Sequence, residues 1–157
     1  ALKLNRRHSH QNSLNYTCNF VSEGSTVLPS SYNMEGLILS KILLVDDDRT
    51  TVKLLQTLLE LDGFVISTSS TGGAVMGMVN DDTPDVILMD YHLSDMDGVD
   101  VLRDLRASDE FATLPIVMTS GLDVEEEVME AGANAFLVKP FEPDELPGLF
   151  RSLAGEE

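Results

Sequence analysis

From Lys41 onward, short apolar runs alternate with stretches whose apolar residues recur every three or four positions. Residues 42–45, 86–89 and 114–118 are runs of the kind a strand needs when both of its faces are buried. Residues 64–68 and 135–138 read as two further strands. Between them lie helical patterns. Val52, Leu55 and Leu59 follow Asp48, a natural N-cap, and Gly63 closes that helix. Residues 73–80 make a weaker helix, with two glycines at its start. Val99, Leu102 and Leu105 share one face of the next. Asp123 is expected to cap a short helix carrying Val124 and Val128, closed by Gly132. The last helix has Pro143 in its first turn and Leu146, Leu149, Phe150 and Leu153 along one stripe. Five strands separated by helices predict an α/β fold: a parallel sheet covered on both faces, a three-layer sandwich.

Residues 1–40 show no sustained periodicity and are rich in Ser and Asn, so they read as a flexible tail or linker ahead of a domain over 41–157. His8 and His10 read as solvated tail residues, because two histidines without further ligands do not make a metal site. Arg6 and Arg7 are followed by no apolar stretch, so the N-terminus does not read as a secretory signal. Without that signal, Asn15-Tyr16-Thr17 is read as a chance match to a glycosylation acceptor. The longest apolar candidate, 36–45, is interrupted by Ser40 and Lys41, too short for a membrane span. The single cysteine, Cys18, allows no internal disulfide and fits a cytoplasmic setting.

Charge narrows the partners. The net charge is −17, and residues 1–33 contribute +2, which leaves −19 on the rest. Such a body repels phosphate backbones, so direct nucleic-acid binding is not expected. A metal cation or a basic protein surface is the more natural partner.

The chemistry sits where the strands stop. In open α/β sheets, sites form beyond the carboxyl ends of the strands. The first strand runs into Asp46-Asp47-Asp48, the third into Asp90, the fourth into Thr119-Ser120 and the fifth into Lys139-Pro140. Any one of these is unremarkable, since acids at loop starts are often helix caps and a lone lysine is usually solvated. Their joint placement at four strand ends points to one site. Two unit charges about 5 Å apart repel by roughly 3 kcal/mol at an effective dielectric near 20, so a carboxylate cluster needs a cation. Mg2+ suits it, because it takes oxygen ligands and binds through one or two carboxylates plus a phosphate. Asp90 would be the nucleophile of an aspartyl-phosphate, with Lys139 and the Thr119 hydroxyl stabilising the phosphoryl oxygens.

The segments KILLVDDD, VILMDYHLSDMDG, IVMTS and FLVKPF, in this order and spacing, resemble the receiver domain of two-component response regulators of the chemotaxis-regulator type. The resemblance covers about residues 41–153. It implies the flavodoxin-like strand order 2-1-3-4-5. It also makes Asp90 the phosphoacceptor and gives Mg2+ to Asp46 and Asp47, with Asp90 and the backbone carbonyl of His92. Thr119 becomes the switch hydroxyl, Lys139 the phosphate-binding lysine, and Phe136 the aromatic that moves when Thr119 engages the phosphate. The Lys139-Pro140 peptide is expected to be cis. The implied phosphodonor is a histidine kinase or histidine phosphotransfer protein. Output is expected through a protein target or a homodimer on the face of the fourth helix, fifth strand and fifth helix.

Some features depart from the family pattern. The stretch from Thr119 to Lys139 is about two residues short, Phe136 lacks the usual hydroxyl, Leu93-Ser94 replaces a frequent Met-Pro, and Pro147-Gly148 is expected to weaken the last helix. Because the chain stops soon after that helix, no C-terminal output domain is expected. The expected role is a phosphoacceptor switch rather than an enzyme. The rivals are the C-terminal receiver of a hybrid histidine kinase, a phosphorylation-independent adaptor and a Mg2+-dependent phosphatase. Asp95-Met96-Asp97-Gly98 suggests a calcium loop, but aligning Gly98 to its sixth position puts Leu93 first and Asp104 twelfth, which removes the required acid and the bidentate Glu. No phosphate-binding GxxxxGK[ST] loop is present.

Overall fold

The computed structural model describes residues 39–155, together with the backbone of two N-terminal strands, Leu4–Arg7 and Asn15–Cys18. The chain divides into two units at residues 39 and 40. In the first, the two short strands pair antiparallel. His8 and His10 lie outside the described residues.

The second unit is the sandwich, and its elements are numbered from Lys41. Its strands are β1 (Lys41–Val45), β2 (Val65–Ser69), β3 (Val86–Asp90), β4 (Ile116–Ser120) and β5 (Ala135–Val138). They pair in the order β2-β1-β3-β4-β5, parallel throughout. The helices are α1 (Arg49–Leu61), α2 (Val75–Asp81), α3 (Gly98–Ala107), α4 (Glu125–Glu130) and α5 (Leu146–Ala154).

The pleat sorts the strand side chains into two cores. Leu43, Val45, Ile87, Met89, Ile116 and Met118 meet α2, α3 and α4 through Val75, Val79, Leu102, Leu105 and Val128. Ile42, Leu44, Val86, Leu88 and Val117 point the other way, onto Leu55 and Leu59 of α1 and Leu146 and Phe150 of α5. Both faces of β1 and β3 are therefore buried, which explains their unbroken apolar runs.

Local chemistry sets the ends. The Asp48 carboxylate accepts hydrogen bonds from the Thr50 amide (2.9 Å) and the Thr51 hydroxyl (2.7 Å), capping α1 as expected. Gly63, at φ +93°, closes that helix in a conformation that β-carbon-bearing residues avoid.

Three details differ from the sequence reading. Strand β4 begins at Ile116 rather than at 114, because Pro115 has no N–H for the ladder, although its carbonyl accepts from the Ile87 amide at 2.9 Å. Asp123 does not cap α4; the helix starts one residue later, with Val124 at its N-cap and no side-chain cap bond. Pro147 does not sit in a helix interior. Residues Pro143–Glu145 form a separate 3₁₀ turn and α5 starts at Leu146, so Pro147 lies in the first turn, where a missing N–H costs little.

Candidate phosphoacceptor site

The parallel register delivers the site. Asp90 is the last residue of β3 and lies directly opposite Thr119 of β4. Ser120 pairs in turn with Val138, which places Lys139 one step beyond the end of β5. Asp46 follows β1, its amide bonded to the Ser69 carbonyl at 3.1 Å. Groups from four strands thus meet at one end of the sheet.

Carboxylate oxygens of Asp46, Asp47 and Asp90 lie within 4.8 Å of one another, Asp47 exposed and the other two half-buried. The Lys139 ammonium bridges two of them, at 2.8 Å from Asp46 Oδ2 and 3.0 Å from Asp90 Oδ1. The second oxygen of Asp46 accepts the Asp48 amide at 2.8 Å. Asp46, Asp90 and Thr119 border a small recess lined otherwise by apolar groups, including Leu55, Leu88 and Phe141.

That surrounding controls the charges. Burial pushes the Asp90 carboxyl above its ordinary value; pairing with Lys139 opposes this, and the charges of Asp46 and Asp47 add to it. Burial also works against the charge on Lys139, but hydrogen bonds to Asp46 and Asp90 outweigh it and hold the ammonium above its usual range. For Asp90 burial wins over pairing; for Lys139 two pairings win over burial. The pocket therefore holds a firmly charged lysine beside a carboxylate whose charge would be eased by another cation.

Each residue expected at the site can be placed. Asp46, Asp47, Asp90 and Lys139 come together, and Thr119 is 2% exposed beside Asp90. The Lys139-Pro140 peptide is cis. His92 lies just past β3, and its imidazole Nδ1 is 3.1 Å from an Asp97 carboxylate oxygen. Phe136 is partly buried against the α2–α4 core.

Three features of the site were missed. Gly98 opens α3 so close to the acceptor that a Cβ there would lie 2.2 Å from the Asp90 carbonyl oxygen. Asp95, singled out only for the rejected calcium loop, accepts the amides of Gly72 (2.8 Å) and Gly73 (2.9 Å) and ties the loop after β3 to the approach to α2. Tyr91 sends its hydroxyl to Glu127 in α4, at 2.8 Å. In the sequence, Asp95-Met96-Asp97-Gly98 suggests only a calcium loop, and nothing local in the chain announces the Tyr91 contact.

The family model for the response regulator receiver domain matches residues 42–151. The chain belongs to this family. Among curated relatives, the receiver region is 36% identical over 110 residues to the regulatory protein AtoC of Escherichia coli, covering 69% of this chain and 24% of that protein. It is 33% identical over 116 residues to the probable transcriptional regulator ycf27 of Guillardia theta, covering 72% and 44%. The chain spans half or less of the length of such relatives. Among solved structures, the receiver domain of the Francisella response regulator 1452 superposes with a TM-score of 0.69 at 28% identity, covering 74% of this chain and 97% of that one. The receiver domain of sensor histidine kinase PA1611 from Pseudomonas aeruginosa gives 0.68 at 28% identity, over 74% and 98%. That structure holds a magnesium ion in its active-site cleft. The strand order of this receiver, 2-1-3-4-5, is the flavodoxin-like order expected. No helix among the described residues is long and apolar enough to cross a membrane.

Proposed function

We propose that this receiver accepts a phosphoryl group on Asp90 and uses it as a conformational switch. The observation that carries this reading is the Lys139 ammonium held between Asp46 and Asp90, with Asp47 alongside. The donor set, three carboxylates at the mouth of a half-buried pocket, fits Mg2+. Asp46, Asp47 and Asp90 would hold the ion, with the His92 carbonyl, and it would supply positive charge to offset that of the phosphoryl oxygens.

The chain's own groups do the rest. An Asp90 oxygen forms the new bond to phosphorus while the bond from phosphorus to a donor histidine nitrogen breaks and leaves its electron pair on that nitrogen. Lys139 turns from its carboxylates to a phosphoryl oxygen, and the Thr119 hydroxyl donates to another. Movement of Thr119 would draw on Phe136, and the face of α4, β5 and α5 would repack.

The donor is a histidine kinase or histidine phosphotransfer protein, and the readout is contact with a protein target or a second copy through that face. The receiver turns over no external substrate, and it works in the cytoplasm. A place at the end of a hybrid kinase is favoured by one observation, the likeness to the receiver of a sensor histidine kinase.

Intact-mass measurement after incubation with a small phosphodonor and Mg2+ tests the reading. The expected result is one added phosphoryl group, absent in Asp90→Asn and in the presence of a chelator. No addition to a folded, Mg2+-binding protein would remove the phosphoacceptor and favour an adaptor.

A further inference from the structure

Helix α4 is weakly held by ordinary means. It has six residues, no side-chain cap and one fully buried side chain, Val128. Among the described residues, its only side-chain hydrogen bonds both go to Glu127. One carboxylate oxygen accepts the Tyr91 hydroxyl at 2.8 Å; the other accepts Arg103 Nη2 at 3.2 Å. Arg103 is itself fixed in α3 by Asp100, at 3.0 Å.

Tyr91 is the residue directly after the acceptor, and its backbone is held on both sides. Its amide donates to the Thr119 carbonyl at 2.8 Å, and its carbonyl accepts the Gly98 amide at 2.6 Å. The residue is 9% exposed. Any shift of the Asp90 or Thr119 backbone therefore acts on Tyr91, and through its hydroxyl on Glu127. The side chain of Phe136 has no polar atom with which to make such a link.

We propose that Tyr91, Glu127 and Arg103 form a latch that ties α4 to the acceptor end of β3 in the resting chain and sets how readily α4 answers the state of Asp90. The latch rests on the switch reading and adds its route. It is closed with Lys139 on Asp46 and Asp90, the resting arrangement, so it favours that state. A contact made in one state only biases the equilibrium by its own differential free energy. Loss of a hydrogen bond to a charged group corresponds to a shift of about tenfold. By linkage, a ligand that selects the switched state should bind tighter by the same factor.

The test compares the full chain with Tyr91→Phe and Glu127→Gln, singly and together. Mg2+ with beryllofluoride serves as the phosphoryl mimic, and the amide resonances of Val128 and Ala131 report on α4. In both single variants, the resonances without the mimic should move part-way along the line toward their mimic-bound wild-type positions. Mimic affinity should rise by up to about tenfold, and the double variant should add little. If the wild type responds but the variants keep wild-type resonances and affinity, even with a lower Tm, the contact is only structural and the latch is overturned. If the wild type does not bind the mimic, the switch reading falls and takes the latch with it.

Discussion

Helices α1 and α4 each follow a strand that ends in the acidic site, yet they are anchored very differently. Helix α1 has 13 residues, an aspartate cap and two fully buried leucines. Helix α4 has six residues, no such cap and one buried valine. The strands repeat the contrast. Residues 42–45 of β1 are all buried in the middle of the sheet, whereas no residue of the edge strand β5 is fully buried. The acidic pair is carried by the rigid side, and Thr119 and Lys139 lead onto the loose side. Anchored groups keep the geometry that phosphoryl chemistry demands, while a loosely held helix can exist in two positions at small cost.

That contrast is open to attack. The largest effect is expected in the cores. Leu59→Ala, at a position 1% exposed beneath α1, should cost about 3 kcal/mol of global stability in urea unfolding. Val128→Ala beneath α4 should cost about half of that and show first as faster amide exchange confined to α4. Equal, global losses would erase the distinction.

A smaller effect belongs to the caps. Asp48→Ala should lower the urea midpoint by less than either core variant, by removing the bonds to Thr50 and Thr51. Val124→Asp, which supplies the cap α4 lacks, should slow exchange in α4 and weaken its response to phosphorylation. A response unchanged by a firmer α4 would separate mobility from signalling.

The smallest effect is in pH. Amides of Gly73 and Gly72 hold the Asp95 carboxyl below its ordinary value. A group with a depressed folded pKa adds stability above its unfolded value and loses it as pH falls through the folded one. Unfolding between about pH 7 and pH 3 should therefore show part of its acid-side loss vanish in Asp95→Asn. An identical pH profile would mean that the clamp between the β3 loop and α2 contributes nothing.

The sandwich was legible because β1 and β3 are buried on both faces and have to be apolar throughout. The acidic pair, Asp90, Thr119 and Lys139 were legible because a parallel sheet sends each residue after its apolar run to the same end. Contacts that arise only from packing were not. Tyr91 and Glu127 are 36 positions apart, and nothing near either one specifies the other. In the sequence Gly98 enters only as the sixth position of a rejected calcium loop, whereas in the structure it leaves room for the Asp90 carbonyl. The start of α4 was misplaced because Asp123 is an ideal capping type, and the backbone turned helical one residue too late to use it.

The bond between Lys139 and Asp46 spans 93 positions. During synthesis the acids emerge well before the lysine that joins them. A growing chain that has made β1 and β3 carries the carboxylates but not this counter-charge, so the pocket is finished only when β5 has docked at the edge of the sheet. The charge balance of the pocket thus waits for the edge strand, and the pairing of Lys139 with Asp46 and Asp90 reports that all five strands of the sheet are in place.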